Sequence, residues 1–259
     1  MSNPIKQLAI SIKTFQRDES LFKLVKSIRG ELPHAPIYIA DDGDMTGAKN
    51  KFYSDLSNQG HQIYTMPFDS GLSAGRNLLL DNIKEQYFLN CDDDFIIRDT
   101  KMFLQIIRLL RDTPELLLVG GMTVELSGEV RAFAIDFDIG AGILKQRFAY
   151  NQMKISENIR YMYADMVSNF FIGKTELMRK IRWDDNFKIG YEHPDFAMRV
   201  LNKYKLAFSP DLTVWHSRNR KDKKYKKFRY GNKRIKGFKE MFYKKHNIEK
   251  GYYPAGGEW

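Results

Sequence analysis

Cysteine is almost absent. Cys91 stands alone among 259 residues, so an intrachain disulfide is excluded and a reducing compartment is expected. No apolar run approaches the roughly 18–20 residues that cross a bilayer as a helix. Met1-Ser2-Asn3-Pro4 leads straight into a strand-like segment without a signal-peptide pattern, and the chain is expected in the cytoplasm. Its glycines form neither a Walker loop nor a G-x-G-x-x-G fingerprint, which removes the two commonest sequence signs of phosphate binding. Internal repeats are also missing.

Acidic residues are scarce in one region only. Residues 218–246 hold 14 Lys/Arg and 2 Asp/Glu, leaving 28 basic and 30 acidic residues elsewhere, so this region carries the whole net charge of +10. Such density suits an anionic partner: a membrane surface, a nucleic acid or an acidic polymer. A solvated helix face would explain it as well. Tyr225, Phe228, Tyr230 and Phe238 are interleaved with the basic residues and suit insertion at an interface or stacking on bases.

The whole chain has 43% hydrophobic and 14% aromatic residues, enough for one large α/β domain. Strand-like runs at Leu8–Ile12, Ile37–Ala40, Ile63–Met66 and Tyr87–Cys91 alternate with helical spacing at 18–28, 46–58 and 72–84. That alternation predicts a parallel sheet with right-handed crossovers. Each strand ends in polar residues: Thr14 and Arg17, then Asp41 and Asp42, then Asp92, Asp93 and Asp94. Open α/β sheets bind ligands at those ends. Three adjacent carboxylates after an apolar run are costly to bury uncompensated. Asp92 and Asp94 share a face if the strand continues, and hard oxygen donors call for Mg²⁺ or Mn²⁺. Gly71 to Arg76 places glycines and a cation at a helix start, a natural position for diphosphate. Residues 122–165 read as antiparallel hairpins, and Leu206–Phe208 and Leu212–Trp215 as two late strands.

In this order the segments Ile10–Arg17, Ile39–Asp44, Gly71–Asn77 and Tyr87–Asp94 resemble the GT-A fold glycosyltransferases of family 2 over residues 5–220. The GLSAGRN segment, the triple Asp before Phe95, Val119-Gly120-Gly121 and Asn169–Ile172 are similar to the β1,4-N-acetylgalactosaminyltransferases of ganglioside synthesis. The later half resembles β1,4-galactosyltransferases, with Glu192-His193-Pro194-Asp195 in place of an acidic motif and His216-Ser217-Arg218 in place of a metal-binding His-Ser-Arg.

The resemblance implies an α/β GT-A fold: a Rossmann-like nucleotide-binding sheet continuous with an acceptor-binding half. The expected layout is a catalytic domain over 1–217, divided near residue 121, followed by a basic aromatic tail over 218–259. It implies an inverting transferase moving a hexose or N-acetylhexosamine from a UDP-sugar donor to a saccharide or lipid-linked saccharide acceptor. Thr14, Phe15, Arg17, Asp41, Asp42, Gly71, Ser73, Arg76, Asp92 and Asp93 would bind the nucleotide-sugar, with a carboxylate of the Asp41–Asp42 segment recognising uracil. Asp92, Asp94 and His216 would hold Mn²⁺ or Mg²⁺, and Arg76 and Arg218 would add charge at the phosphates. The base would be Asp195, with Glu192 second and His193 third. The tail would place the enzyme peripherally on the inner face of an anionic membrane. A nucleic-acid-binding tail explains only the basic region, since the carboxylate strand ends repel phosphates, and no nucleic acid is expected. A nucleotide-sugar pyrophosphorylase would need a glycine-rich loop after the first strand, which Lys13-Thr14-Phe15-Gln16-Arg17 lacks.

Overall fold

The structure, a computed structural model, describes residues 7–217, Tyr225, Phe228 and 232–259. The expectations for Arg218 and Tyr230 lie outside those residues.

The first half alternates as its sequence pattern predicts. Strands β1 (Leu8–Thr14), β2 (Ile37–Asp41), β3 (Gln62–Thr65) and β4 (Tyr87–Asp92) are linked by helices α1 (Asp18–Glu31), α2 (Gly47–Asn58) and α3 (Leu72–Asn82). All pairings among these strands are parallel, in the order β4-β1-β2-β3. Every residue of β1 and β2 is buried, as expected for strands covered on both faces. The two-residue period of a strand divides their side chains between two cores. Leu8, Ile10, Ile12, Ile37 and Ile39 meet α1 on one face, while Ala9, Tyr38 and Ala40 meet Leu79 and Leu80 of α3 on the other.

The second half extends this sheet with mixed polarity. After β5 (Phe95–Ile96) and α4 (Phe103–Asp112) comes β6 (Leu116–Glu125), and short β7 (Val130–Arg131) pairs with β6. Strands β8 (Ala134–Gly140) and β9 (Ile143–Phe148) form a hairpin in a second sheet. Strands β10 (Lys154–Ser156) and β11 (Ile159–Ala164) return to the main sheet's edge, and β12 is Met166–Val167. Strand β13 (Phe171–Lys174) lies antiparallel between β4 and β6. It leads into α5 (Thr175–Ile181) and then α6 (Glu192–Val200).

The two late strands expected from the sequence are one, β14 (Lys205–His216), with a register shift between Phe208 and Thr213. Pro210 falls in that gap, where its missing N–H costs no ladder bond. Helix α6 also begins two residues earlier than Pro194. Proline is tolerated there because first-turn N–H groups have no intrahelical partner.

Residues 232–259, read in the sequence as part of a tail, are packed into the molecule. Helix α7 (Asn232–Lys245) buries Phe242 completely, against a cluster containing Leu144, Phe187, Ile248, Tyr191 and Trp259. Phe238, expected at an interface, packs against this same cluster. Strand β15 (Lys250–Tyr253) pairs parallel with β9, and β16 (Gly257–Glu258) closes the second sheet.

Candidate active site

The C-terminal ends of β1, β2 and β4 open into a cleft of about 400 Å³, closed from the other side by residues 188–193 and by Tyr225, Phe228, Arg234 and Ile235. Its floor is a lattice of ion pairs. Thr14 donates from Oγ1 to Asp93 Oδ2 at 2.6 Å. Arg17 pairs with Asp93 and, at 2.6 Å, with Asp94, and it lies 4.3 Å from the centre of the Tyr225 ring. Burial pushes the Asp93 carboxyl up to about 6, although Arg17 pulls the other way. Lys13 forms a buried pair with Asp42, which also accepts from the Gly71 N–H at 2.7 Å. Burial lowers the Lys13 pKa despite that partner. Phe15, Phe68 and Phe228 meet at the cleft edge with ring centres 5.3–5.5 Å apart.

Asp41 is not at the cleft. It is 1% exposed and accepts from Tyr53 Oη at 2.6 Å, Lys49 Nζ at 2.8 Å and the Gly43 N–H at 2.8 Å. Only Asp42 of the pair faces the ligand space, because neighbouring strand residues point to opposite sides.

The glycine-rich segment also works differently from the diphosphate cradle expected of it. Gly71, the N-cap of α3, has φ of +105°, a conformation that favours glycine. Its N–H is taken by Asp42, and the Leu72 N–H donates to Lys188 O at 2.7 Å. Ser73 is fully buried and donates to Phe187 O. Asn77 binds both backbone groups of Trp183. Arg76 is 2% exposed, 3.3 Å from Asp92 Oδ1 and 5.3 Å from the Trp183 ring centre. The helix start thus grips the loop 183–188. Of this group Gly71 and Leu72 line the cleft, whereas Ser73 and Arg76, expected to bind the nucleotide-sugar, do not.

Asp92 lines the cleft with its side chain 30% exposed. Asp94 Oδ2 lies 3.2 Å from His216 Nε2, and the other ring nitrogen, Nδ1, faces Glu125 Oε1 at 3.1 Å. Strand β14 brings His216 there by pairing with Phe95 of β5. Burial disfavours the imidazolium, yet Asp94 and Glu125 together raise the His216 pKa. Among the described residues no three His, Cys, Asp or Glu side chains are gathered as a metal site. A carboxylate and an imidazole nitrogen do converge here, and a second carboxylate faces the far nitrogen as outer partners of metal-bound histidines do; Asp94 and His216, with Asp92, are the residues that would hold a divalent cation.

Glu192 and His193 both line the cleft. Glu192 is 5% exposed at the first position of α6. His193 donates from Nε2 to Val167 O, and burial holds its imidazole down to about 4, leaving it neutral at pH 7. Asp195, ranked first as base from the sequence, points away from the cleft. It is fully buried and bound by Arg199 Nε at 2.8 Å, Lys245 Nζ at 2.6 Å and His246 Nε2 at 2.8 Å. Burial alone would raise its pKa; these partners overcome that and lower it to about 2. Asp195 lies only about 60° around α6 from Glu192, and it is the contacts from Lys245 and His246 that hold its carboxylate.

Several cleft residues escaped the sequence reading: Lys13, Asp69, Lys188, Arg234 and Ile235. Lys13 had a visible signal, since it precedes Thr14 at a strand end. Arg234 had none, because its basic neighbours mask it and only α7 packing brings it in.

The family model for glycosyl transferase family 2 matches residues 9–182. Mouse β-1,4 N-acetylgalactosaminyltransferase 1 is 30% identical over 215 residues, spanning 81% of this chain and 39% of that protein. The human protein of the same name is 28% identical over 238 residues, spanning 86% and 43%. The chain thus spans about two fifths of the curated relatives it matches. Among solved structures, GalNAc-T7 with UDP, GalNAc and Mn²⁺ superposes with a TM-score of 0.64 at 15% identity, covering 81% of this chain and 42% of that one. S. aureus TarS 1-349 gives 0.57 at 14%, covering 81% and 60%. These neighbours share the GT-A fold. With two thirds of its length matched by the family model, the chain belongs to glycosyl transferase family 2.

Proposed function

We propose that the chain transfers a hexose or N-acetylhexosamine from a UDP-sugar to a saccharide acceptor, with inversion and with help from a divalent cation. The observation that carries this reading is a cleft whose floor holds Thr14, Arg17, Asp42 and Asp93 at the strand ends; Arg17 ties Asp93 to Asp94, which meets His216 at 3.2 Å outside the cleft lining. The cleft lining has four cationic side chains and five carboxylates. A nucleoside diphosphate therefore meets no net positive charge from the protein, and a bound Mn²⁺ or Mg²⁺ would supply the neutralisation. Residues 1–121 would form the donor half and 122–217 the acceptor half.

Glu192 is the base in this reading. Its carboxylate lies at the cleft, where an acceptor hydroxyl attacking the anomeric carbon would give up its proton as the sugar–phosphate bond breaks. His193, neutral and tied to Val167 O, would shape the acceptor side. Asp195 would hold α6 in place. GalNAc is the first donor sugar to try, given what the GalNAc-T7 complex contains. The deciding experiment is a screen of UDP-Gal, UDP-GalNAc, UDP-Glc and UDP-GlcNAc by thermal shift and slow hydrolysis, with and without Mn²⁺. Absence of any Mn²⁺-dependent response would overturn the reading.

The basic region retains a role at an anionic membrane in this proposal. No helix among the described residues is long and apolar enough to cross a membrane. Lys233, Lys236 and Lys244 lie on the exposed side of α7, opposite Phe238 and Phe242. That amphipathic arrangement suits docking on anionic lipid, which a lipid-linked acceptor would make useful.

A further inference from the structure

The cations on the cleft floor are already committed. Lys13 is paired with Asp42, and Arg17 with Asp93 and Asp94. Two others at the cleft edge are held more lightly by the described residues. Lys188 is exposed, and its Nζ donates to a backbone carbonyl, Asp69 O, at 2.9 Å; among the described residues no carboxylate pairs with it. Arg234 pairs through Nη2 with Asp69 Oδ1 at 3.0 Å and lies 5.9 Å from the Phe238 ring centre; among the described residues that is one hydrogen bond for a group with five N–H donors. Both side chains line the same cleft as Asp42, Asp92 and Asp93.

The backbone around them is built to bring them in. A Cβ on Gly71 would lie 2.8 Å from Lys188 Cα, so only glycine allows the 188 loop to lie on the start of α3. Leu72 N–H then holds Lys188 O. Gly190, with φ of +100°, leaves the room that Ile235 of α7 occupies; an added Cβ would lie 3.2 Å from Ile235 Cδ1. One turn of α7 therefore delivers Arg234 beside Lys188, and Asp69 gathers the two.

We propose that Lys188 and Arg234 form a cation clamp for the diphosphate of the nucleotide donor, with Asp69 as the residue that holds them until ligand arrives. The inference rests on the nucleotide-sugar reading above and adds two ligand residues from outside the carboxylate motif. Guanidinium and ammonium groups with free donors are suited to phosphate oxygens. Because Lys188 is exposed, its attraction falls with added salt.

The test is calorimetric binding of UDP, UMP and uridine to the full chain, in Mn²⁺ and again in EDTA. Lys188→Ala and Arg234→Ala should each weaken UDP about 5–10-fold and the double variant about 50-fold, while uridine affinity stays unchanged. Arg234→Lys should recover part of the loss. The weakening should persist in EDTA. Wild-type affinity for UDP in the double variant would overturn the clamp, and so would an equal loss for uridine, which marks general damage to the cleft. If the wild-type chain binds none of the three ligands, the nucleotide-sugar reading itself fails.

Discussion

His246 Nε2 sits 2.8 Å from Asp195 Oδ1, and this contact joins the last helix to the helix that carries Glu192. Lys245 adds a second tie from α7 at 2.6 Å, and Arg199 closes the ring from within α6. Tyr191, the N-cap of α6, is covered by Phe242 and Trp259 at 5.5 and 5.7 Å between ring centres. Residues near the C-terminus therefore set the orientation of the candidate catalytic helix.

Asp195→Asn should lower stability by about 2–3 kcal/mol at pH 7, since it removes a buried charge shared by three partners. Its carboxyl, held at about 2, gives stability that is fully present above the ordinary Asp value near 3.8. That stability is lost as pH falls through about 2. Urea titrations at pH 7 and near pH 2 should show the difference between wild type and variant shrinking in acid. A constant difference would refute the assignment.

Glu192→Gln should lower kcat at least about 100-fold, the usual weight of a general base, while UDP affinity stays within about twofold. Asp195→Asn should retain more turnover than Glu192→Gln once compared at equal folded fraction. The reverse ranking, measured by UDP release, would return the base to Asp195.

Asp94→Ala and His216→Ala should each weaken Mn²⁺-dependent UDP binding by about tenfold or more, with melting temperatures near that of wild type. Their contact at 3.2 Å motivates the pair. A fold loss in His216→Ala with UDP binding retained would assign the histidine to packing alone.

Gly75→Ala is a packing test. The new methyl would lie 2.1 Å from Lys13 Cδ, and Lys13 is buried and tied to Asp42. Moving it breaks the pair, so the substitution should cost about 1–3 kcal/mol although alanine favours helices. Equal or greater stability in denaturant titration would show that Lys13 has another place to go.

Replacing Lys233, Lys236 and Lys244 by Glu should abolish flotation with anionic liposomes at low salt while leaving the fold intact, because all three are exposed. Point substitutions keep the Phe242 cluster in place, which removal of the C-terminal region would not. Unchanged flotation of the triple variant would remove α7 as the docking face.

The sequence by itself determined the parallel half of the sheet. Fully buried strands read as continuous apolar runs, and their period and spacing are local properties of the chain. It also marked where the polar strand ends lie, so Thr14, Arg17, Asp42, Asp92 and Asp93 were legible as cleft residues. Tertiary structure alone decided which residue of each pair lines the cleft: Asp42 and not Asp41, Glu192 and not Asp195. Those outcomes depend on what packs against the other side, namely Lys49 with Tyr53 in one case and α7 in the other. A motif shows residue types, but the charge around a carboxylate is set by residues far away in sequence. For the same reason the basic C-terminal region read as a tail: its charge is visible residue by residue, whereas the pairing of β15 with β9 and the burial of Phe242 arise from contacts across about 100 residues that no local pattern encodes.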